Sequence, residues 1–111
     1  MIQEFEVNGS IFNGYLALPF SGKGIDVLVI HGWWGLSDFI CQTCDMLAQA
    51  GFVSLAPDYY NRKTAKTIEG AKTLNQNFDC KAANKLVGLA ADFLISQSVL
   101  SSPRIGSLSF S

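Results

Sequence analysis

The chain has 111 residues, of which 49% are apolar and only 15% charged, with a net charge of −1. That is one domain at most, near the small end of the usual range, and too apolar to stay disordered. Its Lys and Arg residues form no basic stripe for a nucleic acid, no apolar run approaches the roughly 18 to 20 residues that span a bilayer, and the start "MIQEFEV" lacks the basic region of a secretory leader. The expectation is a soluble cytoplasmic protein with neither a nucleic acid nor a membrane as partner.

The opening reads as a hairpin. "IQEFEV" meets Asn8-Gly9, a dipeptide that tolerates the positive φ angles of a tight turn, and "SIFNGYLALP" returns until Pro19 ends it. After the polar turn "SGKG", residues 25–30 ("IDVLVI") form a continuous apolar run rich in β-branched residues, the mark of a parallel strand buried on both faces. From Ser37 to Ala50 the period becomes helical, with Phe39 or Ile40, Cys44, Leu47 and Ala48 on one face. Ser37 stands as N-cap and Gly51 just past the end. "FVSLAP" is a second buried strand closed by Pro57, and a polar connection leads to a modest helix over about residues 67–78. A stronger helix carries Ala83, Leu86, Val87, Ala90, Phe93 and Leu94 on one face. After Ser101-Ser102-Pro103, "RIGSLSF" reads as a third buried strand. The order is a β-hairpin, then β-α-β-α-β: an α/β protein with an antiparallel hairpin leading into a parallel sheet, helices above and below it.

Cys41 and Cys44 form C-x-x-C, but inside a helix rather than at its N-terminus, where the dipole would lower a thiol pKa. No second Cys or His pair completes a zinc site. These two, and Cys80, read as small apolar residues on packed helix faces in a reducing compartment.

Ligands of open parallel sheets bind beyond the carboxyl ends of the strands. Here those ends carry "HGWWG", "PDYY" and Ser111. The "HGWWG" loop has glycines that permit sharp turns and close backbone approach, and Trp33 and Trp34 can wall a pocket. It reads equally as a strand-to-helix loop whose Trp side chains pack on the helix. Loops at this place in α/β-hydrolases supply one N–H of the oxyanion hole, and there the nucleophile precedes both the acid and the histidine. His31 precedes Ser111, so a structural role shaping the loop is expected of it. Asp58 is read as structural, capping the turn after Pro57, while Tyr59 and Tyr60 line the site entrance. Ser111 follows the third strand directly, where a nucleophile elbow displays its hydroxyl.

With these residues in place the chain resembles the dienelactone hydrolase family of α/β-hydrolases. "GYLALP", "VLVIHGWWGLSDFI", "MLAQAGFVSLAPDYY" and "RIGSLSFS" fall in the family's order and at about its spacing, over the family's N-terminal half. The resemblance implies a domain over residues 1–111 that is an incomplete α/β-hydrolase fold, its sheet edge beside "RIGSLSF" open to self-association. In the family's G-[YF]-[CS]-x-G-G motif, Phe110 falls on the aromatic and Ser111 on the nucleophile. The backbone N–H of Trp33 falls on one oxyanion donor, and Trp33, Trp34 and Tyr59 fall to the substrate.

Three departures stand out. Ser109 replaces the motif's first glycine. Ser111 replaces the cysteine of dienelactone hydrolases proper and Gly32 the glutamate that gates that thiol, a matched pair of changes that favours a serine esterase branch. The family's triad aspartate and histidine lie beyond the nucleophile, whereas the one histidine here is His31. The implied activity is hydrolysis of an ester or lactone without cofactor or metal, with these residues alone expected to be inactive. The alternatives are a non-enzymatic remnant, a module binding a small ligand or partner, and a flavodoxin-like protein; the last would want a Gly-rich phosphate loop, which is missing.

Overall fold

A computed structural model describes residues 2–7, 9–32, 35–58, 66–76, 80–97 and 105–109. Strands β1 (Ile2–Val7) and β2 (Ser10–Ala17) form the expected hairpin, in a register that sets Val7 against Ser10. They are followed by β3 (Asp26–Ile30), α1 (Asp38–Gln49), β4 (Val53–Pro57), α2 (Ile68–Gln76), α3 (Cys80–Gln97) and β5 (Ile105–Ser109). One mixed sheet takes the order β1-β2-β4-β3-β5. The hairpin joins it antiparallel through β2 and β4, and β3 pairs parallel with both β4 and β5. The apolar run of β3 starts one residue later than its sequence suggested, because Ile25 lies outside the strand and is half exposed.

Successive residues of a strand face opposite sides of a sheet, and here each side has its own helix. Leu28 and Leu55 pack with Ala90 and Leu94 of α3, together with Phe5, Val7 and Phe12 of the hairpin. Val29 and Ala56 pack with Ile40, Cys44 and Ala48 of α1. The rings of Phe5, Phe12 and Phe93 meet at centroid distances of 4.9 to 6.3 Å and fasten the hairpin to α3. The result is three layers, α1, sheet and α3. Of the apolar faces read from the helical period, Leu86, Val87, Ala90, Phe93 and Leu94 of α3 and Ile40, Cys44, Leu47 and Ala48 of α1 pack, Phe39 is exposed, and the side chain of Ala83 lies outside the described residues.

α1 begins at Ser37 as expected, although the serine side chain makes no capping hydrogen bond. It ends in a turn where Gly51 takes φ 97°, a left-handed conformation that suits glycine. The same corner admits no side chain at Gly24, whose Cβ would collide with the Gly51 carbonyl. Cys44 is fully buried, and burial pushes its thiol up to about 12; Cys41 is also raised by burial. Both remain protonated structural residues, and the buried Ser54 hydroxyl donates to the Cys44 carbonyl at 2.8 Å, tying β4 to α1. The side chain of Cys80 lies outside the described residues.

The third strand departs from expectation in one respect. β5 is in the sheet and in parallel register with β3, but Gly106, Ser107, Leu108 and Ser109 are exposed. Two-sided burial needs a neighbour strand and a helix over each face; β5 is the last strand in the order, and the described helices pack chiefly over β4, β2 and β1. Among the described residues, no helix is long and apolar enough to cross a membrane.

Candidate active site

Because β3, β4 and β5 run parallel, the chain leaves all three at the same edge of the sheet. That edge receives His31 and Gly32 after β3, Asp58 after β4, and Ser109 at the end of β5, which pairs with Ile30. The expectation that Ser111 and the "HGWWG" loop share an edge falls on residues outside those described; the register itself sets Ser109 level with Ile30 at this edge. Trp33, Trp34, Tyr59, Tyr60, Phe110 and Ser111 lie outside the described residues. The assignments of Ser111 as nucleophile, the Trp33 amide as oxyanion donor and Tyr59 as a substrate contact are therefore sequence readings.

What the structure does describe is the floor of this edge. His31 and Asp58 are both buried, and His31 Nε2 stands 3.8 Å from Asp58 Oδ1. On the other side of the ring, His31 Nδ1 lies 3.0 Å from the carbonyl oxygen of Gly32. A carbonyl has no proton to give, so Nδ1 carries one and donates. The Gly32 oxygen accepts a second hydrogen bond, from the Gly35 N–H at 3.1 Å. Gly35 has φ 83°, which lets the loop turn back on itself. Asp58 is anchored through its own N–H, which donates to the Asn13 carbonyl at 2.9 Å. The hairpin, β3 and β4 thus meet at one buried polar cluster.

Burial pushes the His31 imidazole below its ordinary value, and this outweighs the opposite pull of the Gly32 carbonyl and the Asp58 carboxylate. At neutral pH the ring is held neutral, with Nδ1–H committed to Gly32. The structural role expected of His31 is what its surroundings provide.

The turn that Asp58 is expected to cap lies outside the described residues. What the structure adds is that the Asp58 carboxylate faces His31 on the neighbouring strand. The signal for this lay in register rather than in either local stretch. β3 and β4 pair Leu28 with Leu55, and continuing that register by three residues sets His31 level with Asp58.

Among the described residues no group of His, Cys, Asp and Glu gathers as a metal site requires. A cleft of about 790 Å³, lined by residues 17–21 with Asp45, Ala48, Gln49 and Gly51, lies by the amino end of β4 and shares no residue with this edge.

A hairpin followed by β-α-β with the loop edge at the carboxyl ends is the α/β-hydrolase arrangement. Across 99% of its length the chain superposes on a solved dienelactone hydrolase-like promiscuous phosphotriesterase, P91 from metagenomic libraries, with a TM-score of 0.75 at 18% identity. At that identity the likeness shows the fold alone. The chain belongs to the dienelactone hydrolase family, whose model matches residues 12–110. Among relatives, it is 47% identical over 74 residues to "Protein usf" of Aquifex pyrophilus, covering 64% of this chain and 32% of that protein. It is 42% identical over 80 residues to a "Putative carboxymethylenebutenolidase" of Aquifex aeolicus (strain VF5), covering 68% and 34%. The chain thus spans about a third of the length of these curated relatives and 48% of the solved structure.

Proposed function

We propose that this chain supplies the N-terminal part of a serine hydrolase acting on a small ester or lactone. Ser111 would attack the carbonyl, and a histidine outside these residues would take its proton. The Trp33 N–H would hold the developing oxyanion, a contribution of about 2.7 to 4 kcal/mol per donor. Trp33, Trp34 and Tyr59 would line the substrate, and neither metal nor cofactor is required.

The observation that carries this reading is the parallel register of β5 with β3. It sets Ser109 level with Ile30, at the edge where the Gly32–Gly35 loop begins. The family match running to residue 110 supports it, as does the name of the Aquifex aeolicus relative. The state of His31 supports inactivity of the 111 residues alone. The one histidine of the chain is buried, with Nδ1–H given to Gly32, and it is not placed to serve as a mobile base. In this reading the exposed edge of β5 is where further strands, or a second copy, would pair.

The test compares the 111-residue protein with the product expressed to the gene's own stop codon, on a short-chain aryl ester. Turnover by the second alone, abolished by Ser111→Ala, is expected. Equal Ser111-dependent turnover by both would overturn the reading, because a catalytic base would then lie within these residues.

A further inference from the structure

We propose that His31 is a positioning residue that aims the oxyanion-binding amide. The proposal rests on the reading of the Trp33 N–H as donor and adds what sets its direction. A peptide unit is planar and trans, so the N–H that follows a carbonyl points opposite to that carbonyl. The oxygen of Gly32 and the N–H of Trp33 belong to the same peptide. Whatever holds the Gly32 oxygen therefore fixes the line along which the Trp33 N–H donates, leaving only small torsional freedom.

Two donors hold it. One is His31 Nδ1–H at 3.0 Å, the other the Gly35 N–H at 3.1 Å. The second is part of the loop and moves with it. The first comes from a ring seated in the body of the protein: His31 is buried directly after β3, with Asp58 3.8 Å behind it. Asp58 is in turn fastened to the β2 hairpin strand through Asn13. The clamp ties the Gly32 carbonyl to the sheet, as a preorganised oxyanion site requires, since its donors gain their effect by not reorganising during the reaction. Gly32 itself contributes no side chain to resist a peptide flip, so the restraint must come from its partners. The 3.8 Å approach of Nε2 to Asp58 is too long for a hydrogen bond; Asp58 acts by seating the ring.

The inference separates the two nitrogens. Asn at position 31 can place an amide N–H near the position of Nδ1, whereas Gln reaches toward that of Nε2. Removing one oxyanion donor costs about 10² to 10³ in kcat, and misaiming it forfeits part of that. His31→Gln is therefore expected to lower kcat by about 10- to 100-fold with KM little changed, and His31→Asn to recover most of the loss. The assay uses the protein expressed to the gene's own stop codon, with Trp33→Pro, which removes the N–H, beside Trp33→Ala, which keeps it. Equal kcat for Trp33→Pro and Trp33→Ala overturns the donor reading and this proposal with it. A lower kcat for Trp33→Pro, with His31→Gln and His31→Asn alike, overturns the positioning role alone.

A second measurement needs no activity. Nitrogen-15 NMR of the 111-residue protein should show the proton of neutral His31 on Nδ1, with a scalar coupling across the hydrogen bond to the Gly32 carbonyl. In His31→Gln the amide signals of Trp33 and Gly35 should shift more than in His31→Asn. A proton on Nε2 with no such coupling, or equal shifts in the two variants, refutes the clamp whatever the kinetics.

Discussion

The two ends of β3 bury a titratable side chain each, and they treat it differently. At the amino end Asp26 is buried with its Oδ2 atom lacking a hydrogen-bond partner among the described residues, and burial raises its carboxyl above the ordinary carboxylate value. At the carboxyl end His31 is as deeply buried, but its Nδ1–H is used and its Nε2 faces a carboxylate. A buried polar group without partners is costly, while one that is partnered can hold geometry. The carboxyl end, where the chemistry of such sheets gathers, has the organised polar cluster. The amino end carries a charge that the fold tolerates.

The largest effect should come from the middle of the strand, which sets the scale for both ends. Leu28 is nearly fully buried between β4 and α3, so Leu28→Ala is expected to cost about 2 to 5 kcal/mol in denaturant unfolding. A smaller loss would mean that the core around β3 collapses readily.

Next is His31→Leu, which removes one of two donors to the Gly32 carbonyl and should cost about 1 to 3 kcal/mol. The pH dependence sharpens this. The imidazole is depressed in the folded state by burial, so the unfolded chain binds more protons as pH falls below its ordinary value of 6.5. The His31 contribution is present above 6.5 and is lost as pH falls through the lower folded value. The leucine variant should lack that component, seen by comparing unfolding at neutral pH and near pH 5. Identical pH profiles would remove His31 as its source.

At the other end the sign reverses. Asp26 has a raised folded value, so its contribution is full below the ordinary carboxylate range and is lost as pH rises through the folded value. Asp26→Asn should be more stable than the native protein at neutral pH, and the gain should vanish in acid where both side chains are uncharged. A destabilised Asn variant at neutral pH would show that the carboxylate is partnered in solution and would erase the contrast between the two ends.

The smallest effect is expected at an exposed hydrogen bond. Tyr15 donates to Asp45 at 2.7 Å, joining β2 to α1, and this bond together with burial pushes its phenol up to about 12. Tyr15→Phe should cost about 0.5 to 1 kcal/mol. In the native protein the absorbance titration of this tyrosine should fall above those of ordinary tyrosines. A loss as large as that of His31→Leu would deny that burial is what distinguishes the cluster.

Much of this was legible one residue at a time. Period and punctuation located the hairpin, the helices and the three parallel strands, because side-chain spacing repeats with the backbone and Gly, Pro and Ser mark its breaks. The buried face of α1 could be read from Ile40, Cys44 and Ala48, as could that of α3 from Ala90 and Leu94. The family and the order of its motifs were legible too, since "HGWWGL" and "APD" are local strings. The exposure of β5 was not. "RIGSLSF" has the composition of a buried strand, but burial depends on what lies beyond its edge and over its faces.

The sequence by itself determined the elements, their order and the residue types offered at the carboxyl ends of the strands, all of which follow from local backbone preference and hydrophobic spacing. Only the tertiary structure decided that Asp58 stands behind His31, and that His31 grips Gly32. It also decided that Asp26 is left with an oxygen unpartnered among the described residues. Those outcomes depend on strand register, which places residues far apart in the chain at one level of the sheet. They depend equally on burial, which sets whether a titratable group meets water, a partner or neither.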